Sequence, residues 1–183
     1  MFLIHKDSQD KLRNVSTVKE LQKFILGQGA WWADVPVLTN AGLNVVKASS
    51  YDSLFPMLQN KHIDIFPRGA NEIFAEYNNH KTKEVDLVIE NNLILAYPLS
   101  FFFMVKKDAN GEKLKARLQL GLQRMKADGS FDKAYQDLKK ATLTGLQMKG
   151  RTVIRIDNPN YGPAVYMRDQ KDMWDTLETE TRK

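Results

Sequence analysis

Arg68 follows an apolar run, Ile63 to Phe66, that has the composition of a buried strand, and only Pro67 separates the two. In an open α/β sheet, ligands bind in the crevice outside the carboxyl ends of the strands. An arginine there presents a planar fork of N–H donors that can bind a carboxylate or another oxyanion. The pattern therefore predicts a site for a small anion. An exposed ion pair with Glu72, four residues further on, explains Arg68 equally well when it is taken alone.

A second group of candidate ligand contacts lies where two glycines, Gly27 and Gly29, follow a short apolar run. The spacing predicts a strand-to-helix turn and a helix from Ala30 to Asn40 whose first N–H groups face outward. Such a helix N-terminus favours a carboxylate or another small anion. Trp31 and Trp32 cannot both face the core, so one indole is predicted to line the crevice. Without the tryptophans, a tight turn with no ligand would be the simpler interpretation.

Other kinds of chemistry have little support in the sequence. The three histidines are far apart and have no carboxylate or cysteine neighbours at metal-ligand spacing. The chain contains no cysteine, which excludes thiol catalysis, and no serine lies in a nucleophile elbow. The two glycines open like a dinucleotide fingerprint, but Trp32 occupies the place of the third glycine. We therefore predict no metal and no cofactor.

The composition is typical of a folded protein with one or two domains. The chain has 183 residues, 43% of them hydrophobic, and a formal net charge of +5. Its lysines are spread over predicted helical faces without arginine–aromatic clustering, so we interpret them as solvated surface and predict no nucleic-acid partner. No apolar run reaches the ~18 residues that span a bilayer, since the longest, Leu99 to Val105, has the length of a strand.

Strand-like and helix-like segments alternate along the first hundred residues. Thr17 to Glu20 has the form of a capping box, and Ser49 or Ser50 can cap a later helix. Apolar runs predict strands at residues 24–26, 43–46, 63–66, 85–89 and 93–97. Short helices are predicted between them. This alternation predicts an α/β fold with a largely parallel sheet.

From Gly111 onwards, the pattern changes to two amphipathic helices. Gly129 suits the end of the first helix, and Ser130 can cap the second. A short edge strand is predicted at residues 153–156. The tail from Arg168 is strongly charged and is predicted to be either a marginal helix or disordered. Its apolar residues are Met173, Trp174 and Leu177.

The order of these segments resembles the type 2 periplasmic solute-binding proteins, specifically the extracellular solute-binding family 3, which includes amino-acid receptors of ABC transporters. Three stretches carry the resemblance: TVKELQKFILGQGAWWADVPVL, GLNVVKASSYDSLFPMLQNKHIDIFPRG and LKARLQLGLQRMKADGSFDKAYQDL. Together they cover roughly Val15 to Leu138. The residues that match the family's motifs are Tyr51, Leu54, Leu58, Asp64 and the Asp128–Phe131 turn.

The resemblance implies a periplasmic binding protein type 2-like α/β fold, with a parallel-rich sheet flanked by helices and an incomplete first lobe. The second lobe would comprise residues 21–98. Residues 1–20 and 99–156 would form the remaining part of the first lobe and the crossover strands, and residues 157–183 a C-terminal extension. Met1 to Ile4 read as the start of a strand and lack the form of a signal peptide. A periplasmic location is implied by the family alone.

In function, the resemblance implies a non-enzymatic protein whose lobes close around a small polar or anionic solute such as an amino acid, with an ABC permease as partner. Ala30 occupies the position where the family usually offers a hydroxyl to the ligand carboxylate. Arg68 lies where a second acid commonly pairs with the ligand's ammonium group, so an anionic ligand is predicted. The predicted ligand-binding residues are Gly29, Ala30, Trp31, Trp32, Tyr51, Arg68 and Glu72.

The sequence is also compatible with two alternative functions and with self-association of the chain. The fold can serve an enzyme or a regulatory domain, for which Asp34, Asp64 and Glu72 are the candidate acids. A structural role explains all three better: Asp34 lies in the first turn of a predicted helix, where an acid favours the helix dipole, and Asp64 can cap or pair locally. The chain can also be a degenerate remnant that binds nothing. In any of these cases an incomplete first lobe would expose apolar surface, which a second copy of the chain could cover.

Overall fold

The structure is a computed structural model, and it describes residues 1–100, 102–160 and 177–182. The chain forms two compact units, one comprising Met1–Leu99 with Gly145–Lys183, the other Ser100–Thr144. The described part of the first unit contains both sheets, and the second unit contains a helical hairpin. The assignment of chain segments to two lobes stays a prediction.

The larger sheet has five strands, which are β1 (Phe2–His5), β2 (Ile25–Gly29), β3 (Asn44–Ala48), β4 (Ile65–Pro67) and β5 (Leu87–Ile89). Their spatial order is β3-β2-β4-β1-β5. β2 pairs in parallel with β3 and β4, whereas β1 lies antiparallel between β4 and β5. The predicted α/β class is confirmed. The carboxyl ends of β2, β3 and β4 share one edge of the sheet, which is where ligands of α/β sheets bind.

A smaller sheet pairs β6 (Leu93–Ala96) in parallel with β7 (Thr152–Arg155). Both sheets contribute to the same apolar cluster, because buried side chains of β1, β2 and β4 pack with those of β6 and β7. These side chains are Phe2, Ile4, Leu26, Ile65, Leu93, Leu95 and Ile154. The predicted edge strand at residues 153–156 is therefore present and belongs to the core.

Short helices accompany the strands in residues 1–99 of the first unit: α1 (Gln9–Leu12), α2 (Val18–Leu21), α3 (Asp34–Asn40), α4 (Tyr51–Gln59) and α5 (Ile73–His80). The predicted capping box begins α2, where the Glu20 N–H donates to the Thr17 hydroxyl and the Thr17 N–H donates to the Glu20 carboxylate. The Ser50 hydroxyl caps α4 by accepting from the Ser53 N–H at 3.3 Å. Local capping signals thus located two helix starts correctly.

The predicted glycine turn is wrong, because Gly27 and Gly29 belong to β2 and pair with β3. Neighbouring side chains fill the space that side chains here would need. A Cβ on Gly27 would collide with Ile63 and Leu54, and one on Gly29 would collide with the Trp32 indole. The strand therefore continues to Gly29, and α3 begins at Asp34 instead of residue 30.

The second unit consists of α6 (Ala109–Ala127) and α7 (Ser130–Leu143). The Asp108 side chain caps α6 by accepting from the Gly111 N–H at 2.8 Å. Gly129 joins the helices with a φ of 79°, a conformation that glycine adopts readily. The predicted cap at Ser130 is wrong, since Ser130 is the first residue of α7 and its N–H donates to the Asp128 carboxylate.

The remaining segments have little regular structure. Residues 102–105 of the aromatic run form no strand. Residues 177–181 are helical, and Met173 and Trp174 of the predicted tail lie outside the described residues. In the part of the chain that the structure describes, no helix has both the length and the apolar character needed to cross a membrane.

Gly111 and Gly121 both lie in α6 and make a matched pair for mutagenesis. A Cβ on Gly111 would collide with the carbonyl of Lys106, whereas one on Gly121 would meet nothing within 4 Å. We expect Gly121→Ala to raise the free energy of unfolding by about 0.5–1 kcal/mol, because alanine is the better helix former. Gly111→Ala is expected to lower it by about 1–3 kcal/mol, the usual cost of overpacking. Urea titrations followed by helical circular dichroism measure both changes, and an equal gain in stability would contradict the packing of Lys106 on α6.

Candidate functional site

The carboxyl ends of β2 and β4 lie side by side and bring together most of the predicted site residues. Leu26 of β2 is opposite Ile65 of β4, so Gly29 at the end of β2 is level with Arg68 just beyond β4. Tyr51 is the first residue of α4, the helix that follows β3. The sheet therefore positions these residues through three adjacent strand ends.

The Arg68 guanidinium lies among aromatic rings. Its central carbon is 4.7 Å from the ring centroid of Trp32, 5.2 Å from Phe66 and 5.6 Å from Tyr51. The Trp32 indole is stacked on Phe66 at 6.1 Å. Only 11% of the Arg68 side chain is exposed. Cation–π attraction of this kind strengthens as the cation loses water, so the rings both hold Arg68 and exclude solvent from it.

Two carboxylates pair with Arg68. Nε and Nη2 donate to the two oxygens of Glu76, both at 2.6 Å, in a bidentate contact. Nη2 also lies 2.9 Å from Oε2 of Glu72. The predicted pair with Glu72 is present, but Glu72 is 44% exposed while Glu76 is 15% exposed. Glu76 is the main partner, and sequence reasoning missed it although the i+4 spacing of the two acids on α5 was an available signal.

The environment fixes the charge states of Arg68 and Tyr51. Burial lowers the pKa of Arg68, but the hydrogen bonds and charge of Glu76, with the charge of Glu72, outweigh burial and raise it. Burial, the charge of Glu76 and a hydrogen bond to Glu76 raise the pKa of Tyr51 to about 12. At neutral pH, Arg68 is therefore a cation and Tyr51 keeps its proton.

The Arg68 fork has two edges, and they are occupied differently. Glu76 takes the Nε–Nη2 edge. The described residues provide no hydrogen bond to the Nη1–Nη2 edge, although Oε2 of the half-exposed Glu72 lies 2.9 Å from Nη2 in an ion pair. Nη1 donates to no residue that the structure describes. A second planar carboxylate can therefore bind the Nη1–Nη2 edge if Glu72 moves aside. A guanidinium can donate two parallel hydrogen bonds to a carboxylate on either edge.

The backbone amides and the Trp31 side chain, which were also predicted to contact a ligand, are less well placed to bind one. The Ala30 N–H donates to the Ala48 carbonyl at 2.9 Å, and the Trp32 N–H donates to the Gly29 carbonyl at 3.1 Å. These amides were predicted to bind an anion, and they already have acceptors. The Trp31 side chain is 97% exposed. Of the two indoles, Trp32 is the one that lies beside Arg68.

A tyrosine–aspartate pair, which sequence reasoning missed, lies near this site. The Tyr97 hydroxyl, just after β6, donates to Oδ1 of Asp34 at 2.5 Å. Burial and the charge of Asp34 raise the pKa of Tyr97, and the charges of Arg68 and Glu72 also act on it. Asp34 and Tyr97 are 63 positions apart, so no local sequence pattern predicts the pair.

Asp64, the other acid considered for catalysis, has a local role. Its carboxylate accepts from the Ile25 N–H at 2.8 Å and so joins the start of β2 to the chain before β4. Among the described residues, no group of three histidines and acids is arranged to hold a metal ion.

Comparison with known proteins gives only distant similarities. No protein-family model matches the chain, and no curated protein sequence matches it. An ancestral arginine-binding protein, solved with arginine, is 17% identical over 75% of this chain, with a TM-score of 0.45. An amino-acid ABC transporter substrate-binding protein from Streptococcus pneumoniae, solved with L-arginine, is 18% identical over 77% of this chain, with a TM-score of 0.44.

The similarity also covers only part of each solved structure. The chain spans 58% of the length of the ancestral protein and 56% of the length of the streptococcal one. Both of these solved structures are of amino-acid-binding proteins. At this distance the likeness concerns the α/β fold, and the site residues have to be judged on their own geometry.

Proposed function

We propose that the chain is a non-enzymatic solute-binding protein whose site takes the carboxylate of a small polar solute, such as an amino acid, at Arg68. The observation that supports the proposal is the occupancy of the Arg68 fork. Glu76 holds one edge firmly, and the other edge has a single, half-exposed partner in Glu72. An arginine fixed in this way is preorganised, so a ligand does not have to order it on binding.

Binding at this site would be an exchange of carboxylates. The ligand carboxylate would take the Nη1–Nη2 edge, and Glu72 would leave Nη2. Because Glu72 makes one contact with Arg68 and is half exposed, the exchange costs little. Trp32 and Tyr51 would contact the apolar part of the solute. Once displaced, the Glu72 carboxylate can accept from an ammonium group, which favours a zwitterion over a simple anion.

The transport role is the part of the proposal that depends most on the family resemblance. An ABC permease as partner and a periplasmic location are both proposals of that kind. The enzymatic alternative has weaker support, because Asp34 already accepts from Tyr97 and Asp64 from the backbone of Ile25.

Calorimetric titration with neutral and acidic amino acids, simple carboxylates and small phosphates tests the proposal. We expect Arg68→Lys to weaken binding of the carboxylate ligand about 10- to 100-fold, corresponding to the ~1.5–3 kcal/mol of a hydrogen bond to a charged group. Lysine keeps the charge but loses the fork. Glu72→Gln is expected to strengthen binding of simple carboxylates, because the competing carboxylate is gone.

Arg13→Lys is the matched control. Arg13 is an exposed arginine directly after α1, paired with Asp10 at 2.8 Å. Its replacement should leave affinity unchanged. Equal affinity of the wild type and Arg68→Lys would assign Arg68 a purely structural role. If no member of the panel binds the wild type, the solute-binding proposal fails for this chain.

A further inference from the structure

The second unit, Ser100–Thr144, exposes many large apolar side chains. Phe102 is 73% exposed, Phe103 71% and Met104 94%. The helices add Leu114, Leu120, Tyr135 and Leu138, which are between 45% and 64% exposed. α7 has no buried residue, and Gly111 is the one buried residue of α6. Three consecutive large apolar side chains exposed in this way, Phe102 to Met104, indicate a binding surface.

The exposed aromatic segment runs onto the leucine-bearing face of α6. The Lys106 carbonyl packs against Gly111, at a position where a Cβ would collide with it. Gly111 shares a helix face with Leu114 and Leu118, because residues three, four and seven apart lie on the same side of an α-helix. Phe102, Phe103 and Met104 precede Lys106 by two to four residues, so along the chain they lie close to this end of α6.

Basic residues flank the apolar stripe of α6 on both sides. At 100° per residue, Lys115 and Lys126 lie along one margin of the stripe, and Arg117 and Arg124 lie along the other. Glu112, the one acid in α6, pairs with Lys115 at 3.3 Å. An apolar stripe with cations along both margins is the arrangement found in helices that lie in the membrane interface.

The charge of the protein is concentrated in the same segment. Residues 102–143 contain ten lysines and arginines and five acids, so they hold the whole formal net charge of +5. The rest of the chain has equal numbers of basic and acidic residues. The solvated lysines expected from the sequence are therefore not spread evenly but accompany the exposed apolar side chains.

We propose that the second unit, Ser100–Thr144, binds an anionic lipid surface. Phe102, Phe103 and Met104, with the stripe of α6, would enter the boundary between headgroups and acyl chains. The flanking lysines and arginines would lie against the lipid phosphates. A lipid interface has an apolar layer of acyl chains beneath a layer of anionic headgroups, and so matches both the exposed apolar side chains and the cations. An acidic protein surface would match the cations but not the exposed Phe102, Phe103 and Met104. The proposal does not depend on the solute site.

Vesicle flotation with the full chain tests it, using phosphatidylcholine vesicles with and without phosphatidylglycerol. We expect binding to the anionic vesicles, at least about tenfold weaker binding to the neutral ones, and loss of binding in high salt. Phe102→Ser with Phe103→Ser, and separately Arg117→Gln with Arg124→Gln, should each reduce binding about tenfold or more, since both apolar insertion and charge contribute.

Matched controls come from the first unit. Val85→Ser removes an apolar side chain that is 70% exposed, and Lys19→Gln with Lys47→Gln removes two exposed charges. Both controls should bind like the wild type. Equal binding to neutral vesicles, absence of binding to both kinds, or equal losses in the control variants would each overturn the proposal. So would a dimer in light scattering that the Phe102 and Phe103 replacements dissociate, because a second copy would then cover this surface.

Discussion

Arg151→Ala is expected to lower the free energy of unfolding by about 3–5 kcal/mol, the range for removing one partner of a buried ion pair. Arg151 is 7% exposed and Glu90 is fully buried. Nη1 of Arg151 donates to the Glu90 carbonyl at 2.6 Å and to the Leu93 carbonyl at 3.1 Å, and lies 3.5 Å from the Glu90 carboxylate. Without the guanidinium, a carboxylate would remain in the interior with no cation beside it.

The position of this pair explains why the loss would be large. Glu90 follows β5 of the five-stranded sheet, and Arg151 precedes β7 of the small sheet. The Glu90 carboxylate also accepts from the N–H groups of Asn92 and Leu93, at 2.6 and 2.7 Å, and so fixes the start of β6. Removal of Arg151 therefore weakens the connection between the two sheets as well as one ion pair.

Urea titration measures the effect, with Arg13→Ala as the control. Arg13 pairs with Asp10 on the surface, so its loss should change stability by no more than about 0.5 kcal/mol. Arg151→Met with Glu90→Gln removes both charges and keeps an acceptor for the N–H groups of Asn92 and Leu93, so it is expected to cost less than Arg151→Ala alone, which leaves an unpaired charge. If Arg151→Ala costs no more than Arg13→Ala, the pair is hydrated and does not stabilise the fold.

The elements that the sequence predicted best depend on local physics. The capping box at Thr17 and the Ser50 cap each need only residues within one helical turn. Apolar runs of strand length likewise located β3, β4, β5 and β6 to within a few residues. Alternation of such elements is sufficient to predict an α/β class, because each helix must cover a sheet face.

The contacts that sequence reasoning missed join distant parts of the chain. Glu90 with Arg151 and Asp34 with Tyr97 are separated by about sixty positions, and neither leaves a periodic pattern. The Gly27–Gly29 segment was predicted as a turn because glycine is a common turn residue. In the fold, the glycines leave room for Ile63 and for the Trp32 indole, which only the packed structure reveals.

The candidate site was predicted only in part, because some of its contacts also join distant parts of the chain. Arg68 at the end of a strand was recognisable, and so was its i+4 pair with Glu72. The bidentate contact with Glu76 depends on how α5 returns over the strand ends. This contact changes what a mutation of Arg68 is expected to do. An exposed ion pair with Glu72 would contribute little to stability, whereas the bidentate contact with Glu76 predicts a loss of stability after Arg68→Ala.

Arg68→Ala is expected to cost about 3 kcal/mol, the lower end of the range for a broken buried pair. The lower end applies because the side chains of Arg68 and Glu76 keep 11% and 15% of their exposure to water. Part of the cost comes from the cavity between Trp32, Phe66 and Tyr51, which the guanidinium fills. The rest comes from Glu76, which would keep a charge with only the Tyr51 hydroxyl beside it.

A double-mutant cycle with Arg68→Met and Glu76→Gln separates the two contributions. Methionine fills the aromatic cavity without a charge, so the coupling between the two positions reports the ion pair, and we expect it to be about 1.5–3 kcal/mol. Glu72→Gln is the matched control, because Glu72 contacts the same guanidinium from the solvent side and should couple to Arg68 by no more than about 1 kcal/mol. Equal coupling of Arg68 to Glu72 and Glu76 would mean that neither carboxylate holds the fork in preference to the other. The ligand exchange proposed for the Nη1–Nη2 edge would then lose its basis, since it requires Glu76 to stay bound while Glu72 leaves.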